Sequence, residues 1–130
     1  MLKHEGYRLM GAAFEVYNQL GYGMAEEIYQ QSLEIELGLC EIPFATKQSL
    51  HAFYKGRRLN TGYQPDLIVF DGIVVELKAV KELAPEHEAQ LFNYMRISRI
   101  PIGYLINFGR KSGLQWRRYI VTDIQMSEGN

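Results

Sequence analysis

An α/β fold, with a central mixed β-sheet flanked by α-helices, is predicted by three observations. Apolar residues at helical spacing open the chain, with Leu2, Leu9, Ala13, Val16, Tyr17 and Leu20 recurring on one side. Two apolar, β-branched runs at residues 67–70 and 73–77 are joined by Asp71-Gly72, and Asp-Gly in that setting is a strong hairpin signal. A helix-length segment then leads to a third apolar run at residues 102–108. Strand, helix, strand in that order implies a parallel pair with a right-handed crossover.

Taken in order, the first helix is interrupted by Gly21 and Gly23. A second is predicted over residues 24–37, with Gly38 as its stop, since glycine takes the left-handed closing position at little cost. Residues 44–54 read as one long strand of interleaved polar and apolar residues, turning at Lys55-Gly56-Arg57 into a short strand before Tyr63. The hairpin strands follow. Pro85 suits the first turn of a third helix reaching Ser98 and stopped by Pro101. The run at 102–108 belongs in a sheet interior, residues 109–113 form a turn, and residues 114–121 form an edge strand. A single domain over residues 1–126 with a disordered tail at 127–130 accounts for the chain.

Size and composition agree with this. At 130 residues and 47% hydrophobic content there is enough chain for one buried core. No stretch approaches ~18 uninterrupted apolar residues, so no membrane helix is expected. The opening residues lack the apolar core of a secretory signal, and the one cysteine, Cys40, cannot form an internal disulfide. Both fit a reducing cytoplasm. Lys+Arg 14 against Asp+Glu 15 supplies no global pull on nucleic acid. Local cations occur at Lys55, Arg57 and Arg58, at Arg96 and Arg99, and around Trp116 at Arg110, Lys111, Arg117 and Arg118. They are either ordinary loop and helix-end charges or phosphate contacts.

The chemically informative residues lie on the hairpin. If residues 70–72 form a three-residue loop with Gly72 left-handed and a bulge after it, Val69 faces Ile73 and Asp66 lies opposite Glu76. Opposed side chains sit about 5 Å apart at Cβ. Lys78, two residues beyond Glu76, projects from the same face. Two carboxylates forced together in an apolar sheet repel unless a cation or a shared proton relieves them. Their hard oxygens suit Mg²⁺ or Mn²⁺, and Mg²⁺ commonly takes one or two carboxylates with waters and phosphate oxygens completing its shell. The alternative is a solvated hairpin face on which Glu76 and Lys78 are mere neighbours.

Two helices bring further candidates. Glu26 lies three, seven and eleven residues before Tyr29, Leu33 and Leu37, in the middle of a core-facing stripe. It is either a metal ligand or a first-turn acid favoured by the helix dipole by about 0.3–1 kcal/mol. On the third helix His87, Gln90, Leu91, Tyr94 and Ser98 share a stripe that mixes polar groups into the sheet-facing side. Gln90 can offer donor and acceptor to a phosphate, a water or Lys78, and Tyr94 can pack its ring and extend its hydroxyl. His87 can be a ligand, a proton carrier or a polar cap residue. No CxxC, HExxH or GxSxG pattern occurs, and neither Gly21-Tyr22-Gly23 nor residues 109–113 has the Lys-Ser/Thr ending of a phosphate-binding loop.

Pro65-Asp66, a strand turn and then Glu76-Leu77-Lys78 resemble the signature of the PD-(D/E)XK nucleases, which have a restriction-endonuclease-like core. Gln90 and Tyr94 match the Gln-x-x-x-Tyr spacing of RecB-type members, and Gly23-x-x-Glu26-x-x-Tyr29 resembles the motif of the small bacterial GxxExxY family of that superfamily. The resemblance runs from about residue 2 to residue 108. It implies a metal-dependent nuclease acting on DNA or RNA, with DNA favoured. Asp66, Glu76 and the backbone carbonyl of Leu77 would hold Mg²⁺ or Mn²⁺, Glu26 would complete or support that site, Lys78 would position the water, and Gln90 would assist. His87, Tyr94, Arg57 and Arg58 are the expected substrate contacts. A rival reading is a binding or regulatory domain that keeps the nuclease fold without cleaving. Exposed sheet edges make a homodimer plausible in either case.

Overall fold

The computed structural model describes residues 1–122, so the domain limit expected at residue 126 and the tail at 127–130 lie outside the described residues. Helices α1 (Lys3–Leu20) and α2 (Glu26–Leu39) come first, followed by strands β1 (Phe44–Thr46), β2 (Leu50–Tyr54), β3 (Arg57–Tyr63), β4 (Leu67–Val69) and β5 (Ile73–Lys78). Helix α3 (Pro85–Ser98), β6 (Ile102–Asn107) and β7 (Gln115–Ile120) complete the order. Five strands form one mixed sheet in the order β1-β4-β5-β6-β7, and β2 with β3 forms a separate two-stranded sheet. Among the described strands only β5 and β6 run parallel, joined through α3 as the strand–helix–strand order requires.

Strand alternation divides the core between the two sheet faces. Leu67, Val69, Ile73, Val75, Leu77, Tyr104 and Ile106 pack with Leu9, Ala13, Val16, Tyr29, Leu33 and Leu37 of α1 and α2. Val74 and Leu105 point the other way, to Leu91, Tyr94 and Met95 of α3. Gly103 lets α3 come close, since a Cβ there would lie 2.5 Å from Met95 Sδ. Asp66, Glu76 and Lys78 fall by the same alternation on the α3 face, which is why the smaller core cluster ends in polar groups.

Three local expectations are corrected. Gly38 lies inside α2, and the closing position belongs to Glu41 at φ 58°. Ile42 N donates to Leu37 O (2.9 Å) and Glu41 N to Gly38 O (3.1 Å), the paired hydrogen bonds of a Schellman motif. Ile42 and Leu37, both buried, supply its apolar contact, so packing decides where the helix ends. The long strand at 44–54 breaks at Lys47 (φ 48°), because β1 pairs with β4 in the main sheet while β2 leaves it to pair with β3. In the β4–β5 turn the left-handed residues are Phe70 and Asp71, each at φ 54°, rather than Gly72. Gly72 N donates to Val69 O (3.1 Å), a tight turn with both central residues at positive φ. Phe70 holds this costly conformation with its N–H on Pro43 O (2.9 Å) and the Arg8 guanidinium over its ring. Gly72 instead makes room for Leu2, whose Cδ1 would lie 2.7 Å from an added Cβ.

Candidate active site

The register of the hairpin creates the site. Val69 pairs with Ile73, Ile68 with Val74 and Leu67 with Val75, so one step further Asp66 meets Glu76 where β4 begins. Backbone amides on the two strands hold both acids. Asp66 N donates to Glu76 Oε1 (2.8 Å), and Leu77 N donates to Asp66 Oδ2 (2.8 Å). Leu77 thus contributes its N–H to the pair. The other oxygens, Asp66 Oδ1 and Glu76 Oε2, have no protein donor among the described residues.

Glu76 is 2% exposed. Burial, reinforced by the charge of Asp66 and more weakly by Glu26, pushes its carboxyl up to about 8, against the pull of the Asp66 N–H and Lys78. Burial also raises Asp66, with Glu26 adding to it, while the Leu77 N–H, Lys78 and Lys47 act in the opposite sense. A low-dielectric pair of like charges is the condition that a divalent cation relieves.

Lys78 lies alongside, its Nζ donating to Gln90 Oε1 (2.8 Å), and Gln90 Nε2 in turn donates to Tyr94 Oη (3.2 Å). Lys78, Gln90 and Tyr94 thus form a chain along α3. Burial, with Glu76 nearby, raises the Tyr94 phenol, so Tyr94 keeps its proton. The core-facing placement expected for Glu26 is corrected: it is exposed at the first position of α2, because the buried stripe starts one turn later at Tyr29 and Gln30. It reaches the acids through space. His87 is engaged at the start of α3, where its Nδ1 accepts from Ala84 N (3.0 Å). Arg57 stands opposite Tyr54 on the exposed β2–β3 hairpin, and Arg58 lines a cleft beside it.

Several contributors carried no obvious signal. Gln30 Nε2 donates to Asp66 O (3.1 Å) and to Glu34 Oε2 (2.8 Å), tying α2 to the acidic strand. Its position four residues after Glu26 was the only available hint. Lys47 N also donates to Asp66 O (3.2 Å). Behind Lys78, the fully buried Asn107 donates to Val80 O (2.8 Å) and Gln115 Oε1 (3.0 Å) and accepts from Val80 N (2.9 Å) and Gly109 N (3.0 Å). Gln115 continues to Glu82 Oε2 (2.9 Å). The loop from β5 to α3 is latched at both of its halves.

The donor set fits a hard divalent ion: two carboxylates with free oxygens, electrostatically short of a cation. Among the described residues no three His, Cys, Asp or Glu side chains converge into a cage. Asp66 and Glu76 would therefore hold such an ion together with waters and substrate oxygens, a shell that Mg²⁺ accepts.

Comparison with known proteins bears on the family and the fold. No curated protein matches. Among solved structures, that of SSO0001 superposes with a TM-score of 0.58 at 17% identity, covering 78% of this chain and 54% of its own, so this chain spans about half the length of that protein. An alkaline exonuclease, LHK-Exo from Laribacter hongkongensis, superposes with a TM-score of 0.50 at 12% identity, covering 89% of this chain and 79% of its own. At such identities the likeness concerns the fold. The family model described as the PD-(D/E)XK nuclease superfamily matches residues 3–119. As that span takes in both helical layers as well as the strands bearing Asp66 and Glu76, the chain belongs to the PD-(D/E)XK nuclease superfamily.

Proposed function

We propose that this chain is a divalent-metal-dependent nuclease that hydrolyses phosphodiester bonds, close in kind to the GxxExxY proteins. The observation that carries the reading is the Asp66–Glu76 pair, with Glu76 buried and Asp66 half-buried, held by hydrogen bonds from the Asp66 and Leu77 amides beside the Lys78–Gln90–Tyr94 chain. Asp66 and Glu76 hold Mg²⁺ or Mn²⁺. A bound ion of this type polarises a phosphoryl oxygen and lowers the pKa of a bound water. Lys78, aimed by Gln90, donates from Nζ to a water or phosphate oxygen as negative charge grows during attack at phosphorus. Gln90 restricts where that ammonium can go, and Tyr94 restricts Gln90. Glu26 acts at longer range, adding negative potential that favours a cation.

Calorimetric titration of Mn²⁺ into wild type, Asp66→Ala, Glu76→Ala and Glu26→Ala, with the same samples assayed on single- and double-stranded DNA and RNA, tests the reading. Wild type is expected to bind and cleave. Asp66→Ala and Glu76→Ala lose both, and Glu26→Ala binds more weakly. Binding without cleavage of any substrate would replace the nuclease by a non-catalytic domain of the same fold, and absence of Mn²⁺ binding in wild type would sink the metal assignment.

A further inference from the structure

A second recognition surface lies next to the acids. The two-stranded β2–β3 sheet stands apart from the main sheet, and every residue of β3 is exposed. Between this hairpin and α3 opens a cleft of about 750 Å³ whose walls include Ser49, Arg58, Asn60, Tyr63, Gln64 and Tyr94. Tyr63 meets Tyr94 edge to face, with ring centroids 5.4 Å apart and planes at 75°. Tyr94 is also the end of the chain running back to Lys78, so the cleft connects through Gln90 to the lysine beside the acids. Gln64 Nε2 and Ser49 Oγ, 3.1 Å apart, and the Asn60 amide give this aromatic site hydrogen-bonding groups.

Charge separates the hairpin from the rest of the molecule. Between Glu41 and Asp66 there are four cations, Lys47, Lys55, Arg57 and Arg58, and no acid, whereas the remaining chain carries ten cations against fifteen acids. Lys47 pairs with Glu27, leaving Lys55, Arg57 and Arg58 around the hairpin turn. Large rings are exposed there as well: Phe53 at 62% and Tyr54 at 64%, the latter with Lys55 Nζ 5.6 Å from its ring centroid. Exposed aromatics interleaved with cations are the composition of a surface on which unpaired bases stack while their phosphates are neutralised. Lys55, Arg57 and Arg58 thus give the ribbon beside the cleft an unopposed positive charge that can steer a phosphate toward the acids.

We infer that the cleft between the β2–β3 hairpin and α3 receives an unpaired base of a nucleic-acid strand, with Tyr63 and Tyr94 against its ring and Arg58 on its phosphate. The inference rests on the nuclease reading for the position of the bond to be cut, and it narrows the substrate to unpaired strands. A base stacked and paired within a duplex cannot enter a concave site without first leaving its helix, which costs a few kcal/mol. Base and phosphate are common to DNA and RNA, so the sugar is left to the test.

The test is fluorescence anisotropy of the full chain in EDTA with labelled oligo-dT, oligo-U and a DNA duplex of equal length. Tyr63→Ala and Arg58→Ala, both substitutions at exposed positions, are compared with wild type. Unpaired strands are expected to bind more tightly than the duplex. Tyr63→Ala should weaken that binding about 5- to 150-fold. Arg58→Ala should lower the slope of log affinity against log salt by about 0.7, one phosphate contact on a single strand. The ratio of the oligo-dT and oligo-U affinities distinguishes the sugars, and preference for either over duplex supports the inference. Equal or tighter duplex binding, or unchanged affinity and salt slope in both variants, overturns it. Cleavage measured on the same samples with Mn²⁺ keeps the two readings apart. Unpaired-strand binding without hydrolysis defeats the nuclease alone, and hydrolysis without strand preference defeats this inference alone.

Discussion

Among the described carboxylates, Glu76 is the one pushed furthest toward holding a proton when no metal is bound. It is buried, Asp66 faces it, and its carboxyl is raised from an ordinary 4.5 to about 8. Between those two pH values the folded state binds more protons at this position than the unfolded state does. Unfolding free energy therefore falls as pH rises through that window and levels off above it. The raised Asp66 carboxyl acts in the same direction. The melting temperature of metal-free protein should accordingly decline from pH 5 to pH 8, and Glu76→Gln, neutral throughout and nearly isosteric, should flatten much of the decline. A wild-type profile as flat as that of the variant would refute the assignment of charge strain to Glu76. At pH 8, Mn²⁺ at a hundredfold excess over its dissociation constant should return about 2.7 kcal/mol to wild type and nothing to Asp66→Ala. The pairing was legible only on the supposition of a three-residue loop at 70–72, since a two-residue turn at Asp71-Gly72 would put Asp66 on the other face. The register agrees with that loop although its left-handed residues are Phe70 and Asp71. The bonds from the Asp66 and Leu77 amides were not legible, because they depend on how the two carboxylates rotate once opposed.

At the scale of elements, α3 and β6 were legible because Pro85 at the helix start and an unbroken apolar run each carry a physical reason of their own. The loop between β5 and α3 did not have one. Its anchors, Asn107 and Gln115, sit on strands far along the chain and read there as ordinary polar residues in apolar company. Asn107→Ala would leave the Val80 and Gly109 backbone groups and Gln115 without their partner, at a cost of roughly 2–4 kcal/mol in a denaturant melt. On the nuclease reading turnover should fall as well, since the loop that follows Lys78 would no longer hold α3 and Gln90 in register with it. A melt within 0.5 kcal/mol of wild type, on the order of an ordinary surface substitution, would show that the latch is redundant. The end of α2 illustrates the converse error. Gly38 is the residue that chemistry prefers for closing a helix, but burial of Ile42 against Leu37 assigns the left-handed position to Glu41. That placement costs Glu41 about 1–2 kcal/mol, of which glycine would recover part after its own entropy loss. Glu41→Gly should thus raise stability by about 0.5–1 kcal/mol, read as an increased denaturant midpoint at constant m.

Across the whole molecule the mixed sheet follows from the order of strands and helices, while the departure of β2 and β3 from it does not, because their alternating residues would suit either sheet. The separation predicts unequal stability. A two-stranded ribbon is marginal on its own, and this one has an entirely exposed β3 and leans on α3 mainly through β2 and the Tyr63–Tyr94 contact. The parallel β5–β6 pair is buried under helices on both faces. Native-state hydrogen exchange should therefore find β5 and β6 amides opening only with global unfolding, and β2 and β3 amides opening at a small fraction of that free energy. Exchange of both sheets as a single cooperative unit would contradict the division. The same measurement connects stability with recognition: an unpaired oligonucleotide seated in the cleft must hold the hairpin against α3. Protection should then rise selectively at β2 and β3 while β5 and β6, already limited by global unfolding, gain only what the binding energy adds to the whole fold. On the proposed reading, a ribbon of low intrinsic stability beside a rigid pair of acids would let a strand enter before it is clamped, with Lys78 and the acids already in position.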